Sequence, residues 1–155
     1  MQGHPEVIAQ LNHLLANELT AIDQYFLHGR LCHEWGFSKL HMHLEHEMQE
    51  EQAHAQRLIN RLLLLDTVPS LSHRHPLNIG QRVPDILEND LGLEYRVIAD
   101  LREAIAVCER AGDFVSRDLL LDLLKDTEED HTRWLETQLQ VIKRVGLENY
   151  LQSQI

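Results

Sequence analysis

The sequence predicts an all-α protein: a four-helix bundle with one long crossover between helices two and three and a short fifth helix at the C-terminus. Apolar residues recur at intervals of three and four through four long segments. Only four prolines and seven glycines occur among 155 residues, of which 43% are hydrophobic. A single domain over residues 1–155 accommodates the whole pattern.

The first two helices are expected to pair antiparallel. Apolar residues from Ile8 to Phe26 share one face of a helix over about residues 5–34, which Gly36 ends. A second apolar stripe follows at once and predicts a helix over about residues 38–65. Because so few residues separate the two stripes, the chain must turn back on itself.

The crossover is expected over residues 66–84, where the periodicity stops and three prolines and a glycine occur. Such a segment reaches at most about 60 Å when extended, whereas a helix of roughly 28 residues is about 42 Å long. The crossover can therefore return along the whole bundle, which makes helices two and three parallel.

Two more stripes predict the second half of the bundle. The third helix ends near Gly112, and the fourth, which includes Leu121, ends near Gly146. Residues 147–155 predict a short fifth helix that is too small to fold alone.

Charge and composition exclude several functions. The net charge of -11 argues against nucleic acid or an anionic membrane as a partner. We find no apolar run near the roughly 20 residues that a membrane span needs, and no secretory leader. Two cysteines far apart in sequence do not indicate a disulfide framework. These features predict a cytoplasmic protein.

Six ionisable residues are predicted to point into the bundle at mid-height. Two Glu-x-x-His motifs lie in the apolar stripes of helices two and four, and helices one and three each carry a lone glutamate in their stripes. Counting from the two turn glycines puts all four carboxylates at similar heights, since residues equidistant from a tight turn lie level on antiparallel helices. The six are Glu18, Glu51, His54, Glu94, Glu128 and His131.

Buried carboxylates without partners would destabilise a bundle by several kcal/mol each. Two divalent ions supply four positive charges against four carboxylates, with one neutral imidazole bound to each ion. Oxygen ligands with one nitrogen per metal suit iron or manganese. Glu51 and Glu128 are expected to bridge the two metals, while Glu18 and Glu94 bind one metal each.

Five further stretches are typical of one known family. They are 17–28 (NELTAIDQYFLH), 76–80 (PLNIG), 101–105 (LREAI), 116–118 (SRD) and 146–152 (GLENYLQ). On these stretches the chain resembles the ferritins, most closely the bacterioferritin branch, over essentially its whole length.

The resemblance implies a ferritin-like bundle that assembles into a hollow shell of twenty-four subunits. In such a shell a di-iron ferroxidase centre oxidises ferrous iron with dioxygen or peroxide, and ferric mineral is stored inside. The resemblance also implies that the six inward residues are the ligands of the di-iron centre. A ferredoxin-like protein is the expected class of reductant.

One departure from the family concerns haem. Bacterioferritins hold haem between two subunits through a methionine from each, just after the bridging glutamate of helix two. Gln52 occupies that position here, and an amide is a poor ligand for haem iron. Met48 lies one turn earlier, but a methionine there more often packs in an interface. We expect no haem b in a homopolymer, and a shell mixed with a haem-binding sister subunit is the alternative.

A second departure lies in residues 126–131 (DTEEDH), which run one residue longer than the family pattern. An inserted residue rotates a helix by about 100°, and a π-bulge near Asp126 would absorb it. The Glu-x-x-His spacing is intact, so both residues of the motif are kept as ligands. The neighbours that could intrude are Thr127, Glu129 and Asp130.

Four more residues are secondary candidates. Tyr25 could donate a hydrogen bond to a ligand, act as a redox-active phenol, or only pack. His46 and Glu50 could form a further iron site on the inner surface, as the resemblance suggests, or remain an exposed pair. Glu47 could bind a third metal or orient His54.

Two other functions fit the helical pattern. A non-storing di-iron oxidase or peroxidase could use the same bundle, although the Cys-x-x-Cys iron domain of rubrerythrin-like members is absent. A non-enzymatic structural bundle would instead place the six ionisable residues on its surface.

Overall fold

The computed structural model describes residues 1–155 as six α-helices and one π-helical segment. The helices are α1 (Pro5–Glu34), α2 (Ser38–Leu64), α3 (Val83–Ala111), α4 (Phe114–Asp126), α5 (Arg133–Val145) and α6 (Leu147–Ser153). The π segment, Thr127–Thr132, joins α4 to α5 without a break, so these three form the fourth rod of the bundle. The predicted four-helix bundle with a short fifth helix is confirmed. None of the helices has the length and apolar character needed to cross a membrane.

Contacts between helices give their directions. The turn at Gly36, which has a φ of 88°, reverses the chain between α1 and α2. His13 lies 2.9 Å from Asp100, and His28 lies 2.8 Å from Asp90, so residue numbers rise along α1 as they fall along α3. Because α1 is antiparallel to both α2 and α3, the latter two are parallel, as the long crossover predicts.

The crossover lies along α1, where side chains at intervals of four residues accept its backbone N–H groups. The bonds run from His75 N to Thr20 Oγ1 (2.9 Å), from Asn78 N to Gln24 Oε1 (3.1 Å) and from Gly80 N to His28 Nε2 (3.0 Å). This ladder satisfies backbone groups that have no partner in a helix. A segment without secondary structure is thereby held in one path.

The same side chains connect α1 to α3. Gln24 donates to the buried Asp90 carboxylate over 2.9 Å. Because His28 accepts from Gly80 at Nε2, its Nδ1 carries the proton and donates to Asp90 over 2.8 Å. A Cβ at Gly80 would lie 2.5 Å from the backbone nitrogen of Ile86, so only glycine fits there.

The predicted apolar stripes are wrong at two positions, since Phe26 is 56% exposed and Leu121 is 43% exposed. Each step of four residues rotates a side chain by about 40° beyond a full turn, so a stripe with this spacing drifts away from the core. At the end of the stripe in α1, Tyr25 points inward and Phe26 points toward the surface. Leu120 is fully buried in the same way beside Leu121. Periodicity identified the helices correctly but not which neighbouring apolar residue enters the core.

The π-bulge predicted near Asp126 is present as the segment Thr127–Thr132. Leu123 before it is 0% exposed and Leu135 after it is 1% exposed. The wider turns thus absorb the inserted residue while the helices on both sides keep their apolar faces in the core.

Candidate metal centre

Five of the six predicted residues meet in the middle of the bundle, each between 1% and 4% exposed. Three helices and the π segment supply them, so the centre depends on the relative register of every long element. The five are Glu18 from α1, Glu51 and His54 from α2, Glu94 from α3, and His131 from the π segment.

Glu51 belongs to two groups of ligand atoms at once. One group contains Glu18, Glu51 and His54, the other Glu51, Glu94 and His131, and within each group the ligand atoms lie within 4.8 Å of one another. Glu51 Oε2 is 3.6 Å from His54 Nδ1, while its Oε1 is 2.8 Å from His131 Nδ1. This carboxylate therefore has one oxygen directed at each group, which is the geometry of a bridging ligand.

Several buried atoms in the centre have no hydrogen-bond partner. They are both oxygens of Glu18, Oε2 of Glu94 and Nδ1 of His54. Leaving such atoms unpaired in a core costs free energy that a bound cation would offset. Hard carboxylate oxygens with one imidazole nitrogen per group suit ferrous iron. The residues present therefore fit a pair of iron ions.

Burial and crowding of like charges shift the pKa values of the three carboxylates. Burial and the neighbouring Glu51 raise the pKa of Glu18 well above its ordinary value, and raise that of Glu94 to about 7. Burial opposes ionisation of Glu51 too, but the neighbouring Glu18 and the hydrogen bond with His131 outweigh it and hold its pKa well below the ordinary value. The raised pKa values of Glu18 and Glu94 favour protons at the positions where cations would otherwise balance the charge.

The two histidines are shifted in the opposite sense. Burial would lower the pKa of His54, but the adjacent Glu18 and Glu51 carboxylates raise it to about 11. The carboxylates of Glu51 and Glu94 likewise raise the pKa of His131 against the effect of burial. Both shifts favour the protonated form of the imidazoles.

Glu128 is not brought into the centre. Its Oε1 accepts a hydrogen bond from Arg102 Nη2 over 2.7 Å, and its side chain is 40% exposed. Thr127, 1% exposed, takes the inward position, and its hydroxyl donates to the carbonyl oxygen of Leu123. The expectation that Glu128 points inward is therefore wrong in this structure, because the π segment rotates it toward α3.

A third group of ligand atoms lies beside the centre and contains Glu47, Glu50, Asp130 and His131. Glu47 Oε2 is 3.0 Å and Glu50 Oε2 is 2.7 Å from His131 Nε2, on the opposite side of the ring from Glu51. Glu47 therefore contacts His131 rather than His54. Of the three residues named as intruders, Thr127 turns inward and Asp130 joins this group, while Glu129 is exposed.

The structure also shows the contacts of the secondary candidates and of the two residues considered for haem binding. His46 Nε2 lies 2.9 Å from Glu50 Oε1. The Tyr25 hydroxyl donates to Glu94 over 2.6 Å, so its role exceeds plain packing. Burial and the Glu94 carboxylate raise the pKa of Tyr25, which keeps this donor protonated. Gln52 is exposed, and Met48 is half-buried against the core.

Sequence reasoning missed Asp126, whose Oδ2 lies 3.2 Å from His54 Nε2. Its side chain is 54% exposed, so no apolar stripe includes it. Only the register of α4 against α2 brings the two residues together, and that register follows from packing rather than from periodicity.

The fold and the site together define a class: four-helix bundles that hold two metal ions between carboxylates and histidines of facing helices. The family model described as a ferritin-like domain matches residues 8–145. This chain belongs to the ferritin family.

Three full-length relatives narrow the position within the family. A bacterial ferritin from Pseudomonas aeruginosa is 57% identical, with 100% of both chains covered. A bacterial ferritin from Synechocystis sp. is 55% identical over 100% of this chain and 99% of the relative. A bacterioferritin from Brucella melitensis is 43% identical over 97% and 92%, respectively. The predicted resemblance to the bacterioferritin branch is thus confirmed.

Cation binding should release protons, because cations need deprotonated imidazoles and carboxylates, whereas their surroundings raise the pKa values of Glu18, Glu94, His54 and His131. Protons compete with the cation for these groups, and this competition weakens as pH rises. The affinity for Zn²⁺ should therefore increase from pH 6 to pH 8. Titration calorimetry at each pH, in two buffers with different ionisation enthalpies, measures the protons released. Equal heats in the two buffers would contradict the prediction.

Proposed function

We propose that this protein stores iron after oxidising it at the centre formed by Glu18, Glu51, His54, Glu94 and His131. Membership of the ferritin family supports iron storage and ferroxidase activity as its function. The observation that carries the proposed centre is the position of Glu51 between two groups, each completed by one more glutamate and one histidine.

Ferrous ions are the substrate in this proposal. Two of them bind together, and each gives one electron to a shared oxidant. Two electrons and two protons convert dioxygen to hydrogen peroxide, or one hydrogen peroxide to two waters. Bringing both ions to one buried place makes this two-electron step intramolecular.

Each residue then has a defined task. Glu51 holds both ions through its two oxygens, which favours their joint binding. Glu18 and His54 complete the first position, and Glu94 and His131 complete the second. The Tyr25 hydroxyl fixes the orientation of Glu94 through their hydrogen bond.

Glu128 is the proposed fourth carboxylate. Glu18, Glu51 and Glu94 supply three negative charges against the four positive charges of two ferrous ions, so one charge remains uncompensated. Glu128 is the glutamate of the second Glu-x-x-His motif, and its half-exposed side chain is held by Arg102. Cation binding would draw it from Arg102 and require the π segment around Thr127 to readjust.

The group beside His131 is a proposed secondary iron site. Glu47 and Glu50 face one nitrogen of the His131 ring while the centre faces the other. His46 extends this cluster toward solvent through Glu50. Iron that leaves the centre would meet these residues next.

Assembly into a shell of twenty-four subunits is proposed from the family and from the surface of the single chain. Several large apolar side chains are at least half exposed, among them Phe26, Leu63 and Val115. Burying them between subunits would stabilise the shell. We place this shell in the cytoplasm, where a ferredoxin-like protein would supply electrons for iron release.

Haem is not proposed for a shell of this chain alone. The methionine position holds Gln52, and Met48 packs against the core of its own subunit. A shell mixed with a haem-binding sister subunit remains the proposed route by which haem would enter.

Substitution Glu18→Gln should reduce the initial rate of ferrous oxidation by at least about tenfold, because it removes a charged ligand but keeps the shape of the side chain. The rate is measured from the rise in ferric absorbance after ferrous iron is mixed with air-saturated buffer. Glu88→Gln, at an exposed site on α3, is the matched control and should behave as the wild type. Equal rates for wild type and Glu18→Gln would exclude this centre as the site of oxidation.

Substitution Glu128→Gln should weaken the binding of one of two Zn²⁺ ions by about tenfold or more, because the centre loses its fourth charge. Calorimetric titration of the apo-protein gives the two affinities. Glu129→Gln, an exposed neighbour, is the control. If both variants bound two Zn²⁺ ions with wild-type affinities, Glu128 would not be a metal ligand.

The mass of the particle separates storage from a non-storing oxidase. We expect twenty-four chains of 18.1 kDa each by light scattering after size exclusion. Ferrous iron added in air should then accumulate in that particle as hundreds of ferric ions. A stable monomer or dimer that oxidises iron would favour the oxidase alternative, and one that does not would favour a structural bundle.

A further inference from the structure

Both histidines of the proposed centre present the same ring nitrogen to it. Nδ1 of His54 lies 3.8 Å from Glu18 and 3.6 Å from Glu51, and Nδ1 of His131 lies 2.8 Å from Glu51. The opposite nitrogen of each ring, Nε2, meets a carboxylate outside the centre. For His54 that carboxylate is Asp126, at 3.2 Å.

A neutral imidazole carries one proton, and only its other nitrogen can bind a metal ion. Left alone with Glu18 and Glu51, His54 would favour a proton on Nδ1, since both carboxylates lie on that side. A proton there would block metal binding. An acceptor at Nε2 draws the proton to the opposite side and leaves the Nδ1 lone pair directed at the cation.

The surroundings of His54 leave this task to Asp126. The His54 side chain is 5% exposed, so water has little access to Nε2. Nδ1 of His54 has no hydrogen-bond partner, whereas Nε2 has the Asp126 carboxylate. Asp126 is the last residue of α4, directly before the π segment, and its half-exposed side chain reaches across to α2.

We propose that Asp126 is a positioning residue that fixes the Nδ1-binding tautomer of His54 and so strengthens the cation position formed by Glu18, Glu51 and His54. The inference rests on the proposed two-cation centre. It assigns Asp126 to one position only, because the Nε2 of His131 has its own acceptor in Glu50, at 2.7 Å. A hydrogen-bonded carboxylate behind a metal-binding histidine commonly raises metal affinity by 10- to 100-fold.

The test compares Asp126→Ala with Glu50→Ala in the assembled, metal-free protein. Zn²⁺ titration gives the affinity of each position, and Co²⁺ absorption in the visible range reports the ligand geometry. Asp126→Ala should weaken one Zn²⁺ by about 10- to 100-fold and change the Co²⁺ spectrum of that position. Glu50→Ala should leave the affinity and the spectrum of that position unchanged, since Glu50 and the neighbouring Glu47 face His131 instead of His54. Asp126→Glu should restore most of the lost affinity, because a longer carboxylate can still accept from Nε2.

Double variants assign the affected position. Glu18→Gln should add little to Asp126→Ala, since both act on the same cation, whereas Glu94→Gln should add its full effect. Because the Asp126 side chain is half exposed, its removal should leave the helical content and particle mass unchanged, which circular dichroism and light scattering verify.

Two results would overturn the role of Asp126: unchanged Zn²⁺ affinities, or an equal loss at both positions, which would indicate a general structural effect. Failure of the proposed function is a separate outcome, recognised when wild-type protein binds only one Zn²⁺ per chain. The effect of Asp126→Ala on that single ion would still decide whether Asp126 supports His54.

Discussion

The burial of three carboxylates and two imidazoles within one apolar bundle is the constraint on which the rest of the structure depends. Glu18, Glu51 and Glu94 are each at most 2% exposed, and several of their oxygens lack a partner. A bundle selected for stability alone would place apolar side chains there. The proposed function accounts for the arrangement, because bound cations would balance the charge of these carboxylates.

A second polar network keeps the helices of the centre in register. Gln24 and His28 of α1 bind Asp90 of α3 and, at the same time, the backbone of the crossover. Tyr25 lies between these two residues in sequence, and its hydroxyl reaches Glu94, one helical turn beyond Asp90. The crossover is therefore part of the support of the site, since it fixes the side chains that align α1 with α3.

Much of this arrangement could be predicted from the sequence. Helical periodicity and counting from turns bring together Glu18, Glu51 and Glu94, because long antiparallel helices joined by tight turns leave little freedom in height. Exposure of Phe26 and Leu121 could not be predicted in this way. Two neighbouring apolar residues fit one stripe equally well, and three-dimensional packing selects between them.

In the fourth rod of the bundle, the inserted residue could be detected from the sequence. The direction of each side chain could not be predicted, because it depends on the residue at which the π segment begins. The π segment begins at Thr127, so Thr127 faces inward and Glu128 faces Arg102. His131, one turn further, still reaches the centre. If the bulge began a few residues earlier, the helical register would shift by one residue and Glu128 would take the inward position that Thr127 has here. Leu135 is 1% exposed, so α5 keeps its apolar face in the core directly after the π segment. On the proposed function, the charge of a bound cation inside the bundle and Arg102 outside it would pull Glu128 in opposite directions.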